Sequence, residues 1–134
     1  MPGSDSSRPN LDAIRTAARR IEPHVHRTPV LTCQAIDEVA GCEVFLKCEN
    51  LQKVGAFKAR GASNAVFSLT DAEAEPGVVT HSSGNHAQAL AWAAGRRGIP
   101  AHIVMPTNAP AVKKKAVLGY GGIVHGSGGG EARR

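Results

Sequence analysis

Residues 78–105 read VVTH-SSGN-HAQALAWAAGRRG-IPAHIVM, and this stretch decides the fold. Val78-Val79-Thr80 is a short β-branched run, the composition of a strand. Ser82-Ser83-Gly84-Asn85-His86 is a compact polar turn. Ala87, Leu90, Ala91 and Ala94 then fall at i, i+3, i+4 and i+7, one face of a helix that runs to Arg97. Gly98 and Pro100 end that helix, and Ala101–Met105 forms a second strand. Further on, Pro110–Leu118 predicts a helix bearing Lys113, Lys114 and Lys115, and Gly122–Val124 opens a third strand. Strands alternating with helices in this way predict parallel pairing through right-handed crossovers. The fold class is therefore α/β, an open parallel sheet with flanking helices.

Upstream the pattern is less regular. Asn10 is placed to cap a helix through about Glu22, with Leu11, Ile14, Ala17, Ala18 and Ile21 at helical spacing and Pro23 as its stop. Pro29 biases Arg27–Leu31 toward an extended path. A short helix near Gln34–Ala40 ends at Gly41, and Val44–Cys48 reads as a strand. Another helix starts near Phe57 and runs to Leu69, and Thr70–Gly77 reads as a surface connection. Residues 1–9 read as a disordered start, and Gly126–Arg134 as a flexible end without a closing element.

The 134 residues, 42% hydrophobic and 20% charged, suffice for one ordinary globular domain. With aromatics at 4%, small aliphatic side chains must build the core. The net charge of +5 is spread over Arg19-Arg20, Arg96-Arg97, Lys113–Lys115 and Arg133-Arg134, with no aromatics among them to stack bases. That distribution describes solvated helix faces and predicts no nucleic-acid partner. Cys33, Cys42 and Cys48 match neither a CxxC nor a zinc spacing and read as reduced, buried thiols of a cytoplasmic protein. There is no apolar leader at the N-terminus and no run long enough for a membrane span, so no membrane partner is expected. His24 and His26 form an HxH pair without an evident third ligand, and no metal is expected. Trp92 reads as helix packing and His102 as a structural strand residue.

Two groups of residues carry chemistry. Ser82–His86 follows a strand and opens a helix, so its main-chain N–H groups are free and lie at the positive end of the helix dipole. Such a turn suits a carboxylate or phosphate, and it lies at the strand end where ligands of open α/β sheets bind. An ordinary N-cap by Ser82 or Ser83 accounts for the same residues. In Gly55-Ala56-Phe57-Lys58, small residues admit a ligand close to the backbone and Lys58 stands in the first turn of a helix. A positive helix end favours the neutral amine needed for a Schiff base, although a solvated lysine would also fit.

Taken in order, Arg27–Thr32, Phe45–Lys53, Gly55–Ala62 and Thr80–Leu90 resemble the serine/threonine dehydratases (ammonia-lyases) and serine racemases. These are fold-type II enzymes of the tryptophan synthase beta-like fold, dependent on pyridoxal 5'-phosphate (PLP). The similarity continues through Gly98–Ala101 and Met105-Pro106 to Gly119–Gly121 and covers nearly all of residues 10–125. The resemblance implies that Lys58 forms a Schiff base with PLP and later moves the substrate α-proton. It implies that Phe57 packs on the cofactor ring and that Asn85 hydrogen-bonds its 3'-oxygen. Ser82, Ser83, Gly84, Asn85 and His86 would hold the carboxylate of an amino-acid substrate. Ser83 matches the second acid/base of the racemases. The implied reaction is deamination: L-serine would give pyruvate and ammonia, L-threonine 2-oxobutanoate and ammonia.

The same resemblance implies that residues 10–69 are the N-terminal part of a large PLP domain and 77–134 a truncated small α/β domain. The first part would then expose apolar faces. The parent would be a homo-oligomer. The phosphate-holding glycine loop, the group at the pyridine nitrogen and the acidic cation site of the family come later and have no counterpart here. Gly126–Gly130 lies too early to be that loop, so the 134 residues alone are not expected to form a working enzyme. Cys33-Gln34 stand in place of two serines of the animal racemases and Val54 in place of a threonine, which argues against ATP control and for dehydratase over racemase. The reading of another class is a non-catalytic fragment or pseudoenzyme that serves as a binding module.

Overall fold

A computed structural model describes residues 9–127; the expected disordered start up to residue 8 and the expected flexible end from residue 128 lie outside the described residues. Helix α1 (Leu11–Ile21) is capped by Asn10, whose side-chain oxygen accepts the Ala13 N–H at 2.8 Å, and it ends just before Pro23. Strands β1 (Val30–Leu31) and β2 (Leu46–Lys47) pair antiparallel, flanking α2 (Gln34–Ala40), which Gly41 closes at φ 69°. β2 is shorter than the expected Val44–Cys48. Its partner strand has only two residues, and the Asp37 carboxylate takes the Val44 N–H at 2.8 Å. Two short 3-10 turns, Glu49–Leu51 and Lys53–Gly55, lead into α3 (Lys58–Ser68).

The expected surface connection at 70–77 contains a further helix, α4 (Asp71–Ala74). Thr70 and Glu73 form a capping box: the Thr70 hydroxyl accepts the Glu73 N–H, and the Glu73 carboxylate accepts the Thr70 N–H at 2.8 Å. Ala74 is buried and Asp71 accepts from Arg97 at 3.1 Å, so this one turn of helix is held by its cap, an apolar anchor and an ion pair.

The regular half follows the expected order: β3 (Val78–His81), α5 (Asn85–Arg97), β4 (Ala101–Pro106), α6 (Ala111–Gly119) and β5 (Ile123–Ser127). The three strands are parallel in the order β3-β4-β5, with Val78 opposite Ala101 and His102 opposite Ile123. Gly77, at φ 86°, lets β3 begin against Pro100; a Cβ there would lie 2.5 Å from the Pro100 carbonyl oxygen.

The core lies between α3, α5, α6 and one face of this sheet. Ala62 and Val66 of α3 pack with Ala87, Leu90, Ala91 and Ala94 of α5, and with Ile103, Met105 and Val117. The alanines let the helices approach closely, which leaves Ile103, Met105, Val66 and Val117 as the main side-chain volume. Trp92 packs on the edge of this cluster. Along β4, buried Ala101, Ile103 and Met105 alternate with half-buried His102, Val104 and Pro106, so among the described residues the helices cover a single sheet face. In the N-terminal part Leu11, Ile14, Val30, Leu31, Val39 and Phe45 are exposed, as the sequence leads one to expect. Cys33 and Cys42 are exposed and Cys48 is half-buried, against the expectation of buried thiols. Cys33 and Cys42 flank α2, which buries none of its own residues. No helix among the described residues is long and apolar enough to cross a membrane.

Candidate active site

The turn at the end of β3 is built by the sheet itself. The Ser82 N–H donates to the Val104 carbonyl at 3.1 Å, extending the ladder one residue beyond the strand. The Ser82 hydroxyl then accepts the Gly84 N–H at 3.3 Å. Gly84 is the residue before the first turn of α5, and no side chain caps the helix. The first helical hydrogen bond runs from Gln88 to Gly84. The N–H groups of Ser83, Asn85, His86 and Ala87 consequently have no acceptor among the described residues. An ordinary N-cap by Ser82 or Ser83 is not what this turn contains: its donors are left for something else. A Cβ on Gly84 would meet nothing within 4 Å, so the space before the turn is open. Ser82, Ser83 and Gly84 are half-buried, and Asn85 is exposed in the first turn of α5. His86 is half-buried and lines a groove between α3 and β3 with Ala65, Leu69, Thr80 and Leu90.

Lys58 is the first residue of α3 and follows Phe57, which supplies no side-chain cap. The Lys58 ammonium stands 5.1 Å from the centroid of the Phe57 ring. Both side chains are exposed, and Lys58 has no hydrogen bond or ion pair among the described residues. Two contacts set the direction of α3 against α5. Arg97, in the last turn of α5, donates to the Val66 carbonyl near the end of α3. The 3-10 turn leading into α3 packs on α5, with Val54 against the shared core. The helices thus run the same way, and their first turns, bearing Lys58 and Asn85, stand at one end of the pair.

A polar network with no assigned role in the sequence lies directly behind Lys58. The Glu49 carboxylate takes both arms of the Arg60 guanidinium, at 2.8 Å from Nε and 2.7 Å from Nη2, and accepts the Thr28 hydroxyl at 2.6 Å. Arg60 also donates to the His26 carbonyl at 3.1 Å, and Lys47 to the Thr28 carbonyl at 2.6 Å. Buried Gln52 accepts the N–H groups of His26 and Lys53 and donates to the His26 carbonyl at 2.8 Å. Thr28, Glu49, Gln52 and Arg60 all fall inside the quoted motifs. Glu49 and its partner Arg60 lie eleven residues apart.

The Arg60 hydrogen bonds hold the Glu49 carboxyl at about 2, well below its ordinary 4.5, with Thr28 and the nearby charges of Arg60 and Lys47 adding to the effect against a burial cost. A carboxyl whose pKa is depressed by folding stabilises the fold above its unfolded value. That stabilisation is lost as pH falls from about 4.5 toward about 2. The side chains are 19% and 32% exposed, so the contribution is about 2 kcal/mol once solvent screening is allowed for. Urea titrations at pH 6 and pH 2.5 should show Glu49→Gln less stable than the parent at the higher pH and nearly equal to it at the lower.

Other candidates fall elsewhere. The His24 ring stacks on Phe67 with 3.6 Å between centroids, and His26 Nδ1 lies 3.1 Å from the Leu51 carbonyl oxygen, so the HxH pair is split between two packing roles. His102 and His125 face each other across β4 and β5, with ring nitrogens 3.0 Å apart. Among the described residues no cluster of three or more His, Cys, Asp or Glu could hold a metal ion. A cleft of about 500 Å³ lies between α1 and the Val25–Arg27 segment and contains none of the expected site residues.

A sequence family described as pyridoxal-phosphate dependent enzyme matches residues 21–134. Serine racemase of Oryza sativa subsp. indica is 59% identical over 115 residues, covering 86% of this chain and 34% of that protein. Beta-hydroxyaspartate dehydratase of Paracoccus denitrificans is 53% identical over 116 residues, covering 87% and 37%. The solved structure of maize serine racemase superposes with a TM-score of 0.87 at 56% identity, covering 91% of this chain and 37% of the other. The chain thus spans about a third of the length of the curated relatives it matches.

Proposed function

The chain belongs to the pyridoxal-phosphate dependent enzyme family, and from that membership we propose that it carries the lysine and the carboxylate-binding turn of an enzyme that deaminates L-serine or L-threonine to the 2-oxo acid and ammonia. The observation that carries this reading is the placing of an unpartnered Lys58 and a turn of unclaimed N–H donors at one end of the α3–α5 pair. The residues present fit the group: an accessible amine, an exposed aromatic face and a carboxamide beside open space in front of Gly84. The phosphate of the cofactor has no assigned holder among the described residues.

When bound, PLP supplies an electron sink for the charge that develops at the substrate Cα. The rest is the work of this chain. Lys58 Nζ would hold the cofactor and would also be the group that takes the substrate α-proton. Phe57 would offer its ring as a packing surface, and the Asn85 amide would be a hydrogen-bond donor to the cofactor. The N–H groups of Ser83, Asn85, His86 and Ala87 orient the substrate carboxylate at the positive end of α5, with the Ser82 and Ser83 hydroxyls and the His86 side chain at its rim. Loss of the β-hydroxyl as water, followed by hydrolysis, gives one 2-oxo acid and one ammonia per substrate. The division into residues 10–69 of a large domain and 77–134 of a small one belongs to this same proposal.

Serine racemase is the second reading, supported by the similarity to racemases of rice and maize. Ser83 decides between them, because a proton returned from the ring face opposite Lys58 inverts Cα. The experiment gives the intact protein, loaded with PLP, L-serine and L-threonine, and measures ammonia, 2-oxo acid and the D-enantiomer. Equal amounts of ammonia and 2-oxo acid, retained by Ser83→Ala, support the lyase. D-serine without ammonia, abolished by Ser83→Ala, supports the racemase. Neither product from folded protein carrying PLP on Lys58 sinks both and leaves a binding module.

A further inference from the structure

Lys58 has no partner of its own, so its position is set by whatever fixes the first turn of α3. Arg60, two residues on, is the side chain of that turn that reaches back into the preceding chain. Its guanidinium binds the Glu49 carboxylate through two parallel hydrogen bonds, a planar fork that fixes orientation as well as distance. Glu49 is itself fixed by the Thr28 hydroxyl, and Arg60 by the His26 carbonyl. Three separate segments, at 26–28, 49–52 and 58–60, thereby converge on one ion pair. The 3-10 turn that joins the last two holds Val54 at φ 55° and Gly55 at φ 66°. A β-branched residue in the left-handed region is disfavoured and persists only where its surroundings impose it. Buried Gln52, two residues before Val54, is clamped to both the N–H and the carbonyl of His26.

We propose that Glu49 is a positioning residue for Lys58, acting through its fork with Arg60 to hold the first turn of α3, and with it the Lys58 amine over the Phe57 ring, in one orientation. The proposal rests on the reading of Lys58 as the cofactor-holding lysine. A merely structural role would make Glu49 matter for melting alone. A positioning role makes it matter for the fixed orientation of whatever Lys58 carries.

The experiment adds PLP to the protein and to its Glu49→Gln, Arg60→Lys, Asp71→Asn and Lys58→Ala variants. Asp71→Asn removes the exposed Arg97–Asp71 pair between α4 and α5 as a control for generic ion-pair loss. Three quantities are read: the rate at which Lys58 is labelled after borohydride reduction, the induced circular dichroism of the visible PLP band, and far-ultraviolet dichroism for the fold. The parent and Asp71→Asn should label at Lys58 and show induced dichroism. Glu49→Gln should keep the far-ultraviolet spectrum, label Lys58 more slowly by roughly tenfold, and lose most of the induced dichroism, as expected when a charge-assisted bidentate contact is removed. Arg60→Lys, which keeps the charge and loses the fork, should follow Glu49→Gln and serves as the test should that variant not fold. Labelling and induced dichroism at parental level in folded Glu49→Gln or Arg60→Lys overturns the proposal while leaving the reading of Lys58 standing. A parent protein in which Lys58 is not labelled overturns that reading and the proposal with it.

Discussion

On the proposed reading of Lys58 as the cofactor-holding residue, Lys58→Ala removes covalent PLP capture entirely and, in the whole enzyme, lowers ammonia and 2-oxo acid formation by at least about 10³-fold, because one amine would serve as both the attachment point and the proton-transfer group. The fold is expected to survive. Lys58 is exposed, occupies the first position of α3 and has no hydrogen bond or ion pair among the described residues. Alanine is the best helix former, and surface changes of this kind stay within about 0.5 kcal/mol. The loss must therefore appear without a change in urea midpoint. The visible absorbance band of the loaded protein, read beside its unfolding curve, checks both halves of the statement. A Lys58→Ala protein that keeps the band places the attachment point on another lysine.

Ile103→Ala is the substitution with the largest expected effect on stability, about 3–4 kcal/mol. Ile103 is fully buried at the centre of β4 and meets a cluster built mainly of alanines. Alanine has no side-chain freedom with which to move into a vacated space, so the cavity stays open and its cost is not relieved. In a chain whose core volume rests on Ile103, Met105, Val66 and Val117, that loss is a large share of the total. Urea denaturation should show a lowered midpoint with an unchanged slope. A loss under about 1 kcal/mol would mean that the alanine-lined helices slide to close the gap.

Much of this was legible in the amino-acid sequence, for physical reasons that differ between the two halves. Residues 78–127 are periodic: a strand run, a polar turn and an alanine face at helical spacing leave one arrangement, and β3, α5, β4 and α6 lie within a residue or two of their expected bounds, whereas β5 runs on through Gly126 and Ser127, which read as the start of a flexible end. Asn10 and Gly41 marked the ends of α1 and α2 because capping is local chemistry. The short β2 was not legible, since its length is set by β1 and by the Asp37 side chain, both distant in sequence. The α4 turn was legible in principle from Thr70 and Glu73 at capping-box spacing, with only acidic composition pointing the other way. Lys58 and Ser82–His86 were legible as candidates from their motifs. The Glu49–Arg60 fork was not, because a carboxylate and a guanidinium eleven residues apart become partners only once the intervening 3-10 turns fold the chain back.

The network behind Lys58 and the open donors of the turn assign separate tasks. On the proposed reading, Glu49, Arg60, Thr28 and Gln52 would fix the amine, while Ser83, Asn85, His86 and Ala87 would present donors to a carboxylate. The two sets meet only through the packing of α3 on α5, where Ala62 and Val66 lie in one core with Ala87 and Leu90. Small side chains at that seam let α3 and α5 approach closely.

The most direct test of the central claim is reductive trapping: PLP is added to the protein, the adduct is reduced with borohydride, and the labelled peptide is identified by mass spectrometry. The account predicts label on Lys58, suppressed by L-serine in competition and absent from Lys47, Lys53 and Lys113–Lys115. Label spread over the surface lysines, or concentrated on any lysine other than Lys58, would contradict it.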